Sequence, residues 1–169
     1  IWGHNGNGSI IANCTVVHNT DWGITGSTGT QVWNSIVWWN TNGQIPTNQQ
    51  MNSSYNNLQD GWPWGHPGNI SADPKFVDAA NDDFHILSSS PCIDVGNNGA
   101  PYMQSTDYDG EIRIWDGDDD QTAIVDMGAD EFHEPDLVEL VSFTAAGHGR
   151  TVFVQWETAA EIDTAGFHI

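Results

Sequence analysis

The chain has 169 residues, with 3 Lys or Arg against 23 Asp or Glu, for a formal net charge of −20 at pH 7. That balance excludes a direct grip on nucleic acid or on an anionic membrane surface, because both need clustered Lys and Arg. No run of about 18 apolar residues is present to span a bilayer, while 11% aromatic content and recurring Val/Ile runs point to a folded chain. The charge is uneven. From Ile1 to Gln59 the only acid is Asp21 and there is no Lys or Arg, whereas Asp107 to Glu139 holds 13 acids against Arg113. The first residues carry no initiator Met and no signal-peptide pattern, and both ends read as cut, so the expectation is a piece of a longer protein.

The neutral third repeats. Asn13-Cys-Thr-Val-Val-His-Asn19 aligns with Asn34-Ser-Ile-Val-Trp-Trp-Asn40 at an offset of 21, and a further step reaches Tyr55-Asn-Asn-Leu-Gln59. Each unit joins a short β-branched run to Gly/Thr/Ser-rich sequence, a strand-length signal with turn residues between. A constant offset of this size predicts a β-solenoid of stacked coils. Cys14, Ser35 and Asn56 would share one ladder position, with Val16, Val37 and Leu58 on an inward apolar one. Stacked amide hydrogen bonds would account for the Asn content. An antiparallel sandwich is the alternative, for which Asn42-Gly43 would be a hairpin turn.

Trp38-Trp39 and the loop Trp62-Pro63-Trp64 place rings where some must face outward, since successive strand residues point to opposite faces. Trp38, Trp39, Trp62 and Trp64 are therefore candidate glycan-stacking residues, beside the reading that they cover the flank of the stack. Phe76-Val77 and Phe84-His-Ile-Leu87 are expected as the last apolar strands, with residues 90–132 closing the end. Cys14 and Cys92 read as buried free thiols rather than a bridge. The seven His are scattered without HxH or HxxxH spacing, which marks no zinc site.

The alternation Asp116, Asp118, Asp120 matches the first three ligand positions of an EF-hand-type Ca2+ loop. The sixth position is Gln121 instead of Gly and the twelfth is Met127, so only a looser Asp-rich calcium site remains, completed by Asp107, Asp109 and Asp126. The competing reading is a solvated acidic turn with Arg113 in a surface ion pair. After a linker at 134–136, Leu137–Thr144 and Thr151–Trp156 alternate as strands, with a third beginning at Phe167. These resemble the opening strands of a fibronectin type III-like sandwich, truncated here at 137–169.

Asn34-Ser-Ile-Val-Trp-Trp-Asn40, Asn69-Ile-Ser-Ala-Asp-Pro-Lys-Phe-Val-Asp78, Asp83-Phe-His-Ile-Leu87, Ser90-Pro-Cys-Ile-Asp-Val-Gly96 and Asp126-Met-Gly-Ala-Asp-Glu-Phe132 form an ordered set. With Asp109-Gly110 and Arg113 they resemble the C-terminal end of secreted right-handed parallel β-helix proteins of the pectin-lyase-like superfamily. These are bacterial surface proteins of the choice-of-anchor Q type. The resemblance implies an all-β fold, with β-helix coils and an irregular cap over residues 1–133, in an extracellular or cell-surface protein. The expected role is a non-catalytic, adhesin-like scaffold that binds a neutral polysaccharide or cell-surface glycan. The alternative is the C-terminal fragment of a polysaccharide lyase or glycoside hydrolase whose catalytic coils lie outside this chain. The coils before Leu58 carry no Arg, Lys or Glu and only Asp21 as an acid, so a catalytic site on them lacks its machinery.

Overall fold

The computed structural model describes residues 1, 8–46, 51–61, 66–134, 140–149 and 151–158. It is all-β, with one short 3-10 turn at Ala79–Asn81 as the only helical element among the described residues. The chain divides into two compact units, Ile1–His133 and Glu134–Ile169. Each is taken by itself.

In the first unit the strands come in pairs: β1 (Ile10–Ala12) and β2 (Thr15–Val17), β3 (Gln31–Trp33) and β4 (Ile36–Trp38), β5 (Asn52–Ser54) and β6 (Asn57–Leu58). They form two parallel three-stranded sheets, β1-β3-β5 and β2-β4-β6. Ile11 sits over Val32 and Ser53, and Val16 over Val37 and Leu58, so the pairing register is the 21-residue offset at which the sequence repeats. Asn42-Gly43 does not close a hairpin between these strands, because every pairing among them is parallel.

The corners explain the Asn residues differently from an amide ladder. Asn13, Asn34 and Tyr55, one coil apart, separate the paired strands and sit at φ 49°, 46° and 58°. Asn is among the few residues that enter this left-handed region at low cost. The residue after each corner has an N–H with no strand partner, and a side chain from the next coil accepts it. Cys14 N–H donates to Ser35 Oγ (3.2 Å), Ser35 N–H to Asn56 Oδ1 (2.8 Å) and Asn56 N–H to Asn69 Oδ1 (2.9 Å). The last step is only 13 residues, so the next turn of chain is shorter while the ladder continues. Between Asn19 and Asn40 the expected amide-to-amide bond does form, at 2.7 Å.

The inward residues Ile11, Val16, Ile24, Val32, Val37, Ile45, Met51 and Leu58 make one apolar cluster. The outward residues of β4 are buried too. Ile36 and Trp38 pack with Ile86, Cys92, Ile93 and Met127 of the closing segments. Parallel sheets are ordinarily covered on both faces, and here the cap covers the outer one. Gly128 shows how close it lies: a Cβ there would meet Ile36 Cδ1 at 2.9 Å and Thr15 Oγ1 at 3.1 Å, and its φ is +118°.

Two expectations about the closing part are corrected. β7 (Phe76–Asp78) and β8 (Asp83–Ile86) pair antiparallel as a hairpin, not as further stacked strands. The intervening Asp82 at φ 62° reverses the chain, and an antiparallel pair needs only such a short connection. The cap also runs along the flank of the earlier coils instead of sitting only over the last. Gly128 N–H bonds Asn34 O (2.9 Å), Ala129 N–H bonds Thr15 Oγ1 (3.0 Å), and the Asn34 amide exchanges two bonds with the Asn97 backbone.

In the second unit β9 (Leu140–His148) and β10 (Thr151–Thr158) form an antiparallel hairpin. Phe143 faces Trp156, Ala145 faces Val154 and Gly147 faces Val152, so these directly opposed residues build one apolar side. The third strand expected at Phe167, residues 137–139 and linker residues 135–136 lie outside the described residues.

Candidate functional site

The cap is where the chemistry collects. β8 places Asp83 and His85 on one face of a strand, two residues apart. Asp83 Oδ1 takes the His85 Nδ1 side, and Asp109 Oδ2 lies 2.6 Å from His85 Nε2. The buried Asp130 carboxylate completes the group, with Oδ2 accepting Ile86 N–H at 2.9 Å. Hydrogen bonding to Asp83 is the main cause that raises the His85 pKa to about 9, and Asp83 is held below its ordinary value in return. Burial pushes Asp130 up to about 6. One ligand atom each from His85, Asp109 and Asp130 falls within 4.8 Å of the others.

The six expected calcium ligands do not converge. Asp107 is buried, and its Oδ1 accepts the N–H groups of Asp109, Gly110 and Glu111 at 2.9 Å each, while Oδ2 accepts that of Glu131. Asp126 is 1% exposed and bonds Asp94 N–H and Phe132 N–H, both at 2.7 Å. Burial raises its pKa to about 7. Both side chains cap backbone turns and face inward, so neither belongs to a solvent-reached cation shell. Asp109 goes to His85 instead. Asp116 and Asp118 do meet, with Asp94 as a partner that the spacing did not indicate, within 4.8 Å. Asp120 lies outside that group, and its N–H donates to Asp116 and Asp118. Even in this cluster backbone donors occupy the oxygens, since Asp94 accepts from Gly117, Asp118 and Ile124.

Arg113 is not a surface partner. It is 4% exposed and donates to Gly128 O (3.3 Å) and Ala129 O (2.8 Å), with Glu131 Oε2 3.8 Å away. Glu131, inside the Asp126–Phe132 motif and not among the expected site residues, is 2% exposed and its Oε2 accepts Asp126 N–H. Burial raises its pKa to about 9, against the opposite pull of Arg113.

Of the four tryptophans, Trp62 and Trp64 lie outside the described residues. Trp38 is 8% exposed and belongs to the apolar cluster under the cap, so it offers no ring face to a ligand. Trp39 is 39% exposed, at φ 52°, with one ring face stacked on His18 at 5.2 Å and a tilted contact to Phe76 at 5.8 Å. The left-handed corner after β4 swings it out of the strand alternation. Both cysteines are free thiols, Cys92 buried and Cys14 half-buried; burial raises both, Cys92 to about 11, which suits packing and not nucleophilic attack. Among the described residues, a cavity of about 370 Å³ beside Ile10–Cys14 is lined by Tyr102, Gln104 and Arg113, with no carboxylate or imidazole in that lining for acid–base work.

No protein-family model matches the chain, and no curated protein and no solved structure matches it either.

Proposed function

We propose that residues 1–133 are the C-terminal coils and cap of a right-handed parallel β-helix in an extracellular surface protein, acting as a scaffold and not as a catalyst. The observation that carries this reading is the 21-residue parallel register of β1–β6, with buried cap carboxylates tied to backbone N–H groups. Carboxylates spent in this way are unavailable as a general acid and base. Within the same reading Trp39 is the ring offered to a neutral polysaccharide, because stacking on a sugar needs an accessible aromatic ring and Trp39 is 39% exposed. A structural Ca2+ belongs with Asp94, Asp116 and Asp118, an oxygen-only set suited to a hard cation.

A glycan array with the full chain and with Trp39→Ala tests the binding part. Neutral glycans retained by the first and lost by the second are expected, and equal retention removes Trp39 from the reading. Incubation with plant and bacterial polysaccharides, followed by assay of reducing ends and unsaturated products, tests the scaffold part. Product formation overturns it.

A further inference from the structure

We propose that His85, Asp109 and Asp130 form a binding site for a divalent transition-metal ion, with Zn2+ as the probe, in which Asp83 orients the imidazole. The site goes beyond the scaffold reading and does not depend on glycan binding. Its three ligand atoms already lie within 4.8 Å of one another. They come from separate stretches of chain: β8, the Asp107–Gly110 turn and the Ala129–Asp130 segment, each fixed by its own backbone bonds.

The imidazole has the environment that a metal-bound His requires. Metal-ligating His residues generally give the other ring nitrogen to a carboxylate, which sets tautomer and ring direction. Here Asp83 takes Nδ1, leaving Nε2 to face Asp109, with a ligand atom of Asp130 within 4.8 Å of the group. Asp130 is 6% exposed, so one carboxylate of the group is held in the interior, where its position is fixed. Asp109 is exposed and His85 half-buried, which leaves a side open for entry and for water as further ligands.

The donor set selects the ion. One imidazole nitrogen with two carboxylates suits Zn2+ and its neighbours, whereas Ca2+ takes oxygen ligands in larger number.

The test is calorimetric titration of the full, tag-free chain after chelator treatment, with Zn2+, Ca2+ and Mg2+ in separate arms. Expected are one Zn2+ per chain and loss of at least about tenfold in affinity for His85→Ala and for Asp109→Asn. Asp83→Asn is expected to weaken Zn2+ by about tenfold through loss of orientation. Asp116→Asn is expected to leave it unchanged, which separates this site from the oxygen-only cluster. Asp109→Asn keeps side-chain size at an exposed position, so it decides if His85→Ala does not fold by circular dichroism. No Zn2+ uptake, uptake unchanged in Asp109→Asn, or tighter binding of Ca2+ than Zn2+ overturns the proposal.

Discussion

The coils and the cap solve one problem in two ways. Both must satisfy backbone N–H groups away from water, since each orphaned donor costs about 1–3 kcal/mol. In the coils the partner is the same position one turn along, through strand pairing or through Ser35, Asn56 and Asn69. In the cap there is no such neighbour, and carboxylates stand in: Asp94 accepts three backbone N–H groups, and Asp107 accepts four. Much of the acidity of the second half is thus explained as backbone capping, which needs acceptors with several lone pairs. A neutral periodic region and a charged aperiodic one are two answers to the same accounting.

Removing the group that joins the two regions should have the largest effect. Trp38→Ala empties the space between β4 and the cap and is expected to cost about 3–5 kcal/mol in urea unfolding. The next pair separates the regions. Asp107→Ala leaves four donors to find water and should cost about 2–4 kcal/mol, with hydrogen-exchange protection lost at 109–111 and 131 while β1–β6 stay protected. Asn56→Ala should cost about 2 kcal/mol and give the opposite map, with Ser35 N–H exposed and the Asp107 turn intact. Equal loss of protection everywhere in both variants would break the comparison, because the regions would then be one cooperative unit.

Acidity sharpens it further. Glu131 and Asp126 have folded pKa values of about 9 and about 7, raised by burial from ordinary values of 4.5 and 3.8. A carboxyl raised by folding contributes stability that is complete below its unfolded pKa and is lost as pH rises through the folded one. With chelator present, the cap should therefore melt lower as pH climbs from 5 to 9, by roughly 5 °C or more. The coils carry Asp21 as their only acid before Gln59, so their exchange protection, corrected for intrinsic rate, should not follow. The smallest effect belongs to the exposed pair Lys75–Asp73, at 3.2 Å: Lys75→Ala should change stability by less than about 0.5 kcal/mol.

What could be read in the chain follows from the same contrast. The 21-residue repeat was legible because parallel pairing at a constant offset makes equivalent residues recur, and Val16, Val37 and Leu58 do pair in that register. The cap was not, because a carboxylate that caps a turn leaves no period. The Asp116–Asp118–Asp120 alternation suggested one shared shell, yet Asp120 stands apart and Asp94, 22 residues before Asp116, joins. Trp38 follows the flank-covering reading for a related reason. Alternation predicts which side of a strand a residue faces, not whether something from 50 residues later, such as Ile86 or Cys92, covers that side. For His85 a faint signal existed in Asp83-Phe84-His85, since residues two apart share a strand face, but the 24-residue jump to Asp109 has no local trace.

The shortened last ladder step has a consequence for how such a chain tolerates change. Asn69 follows Asn56 after 13 residues where earlier steps take 21, and the side-chain rung forms at nearly the same distance. The rung is therefore indifferent to the length of chain that returns to it. Doubling a flexible loop adds only about 0.6 kcal/mol of closure entropy, less than one rung bond contributes. Foreign peptide spliced in at Thr28, the exposed residue of the turn after the buried Ile24, should be displayed outside the stack without disturbing it, which makes this turn a natural point for length variation and for engineered insertion.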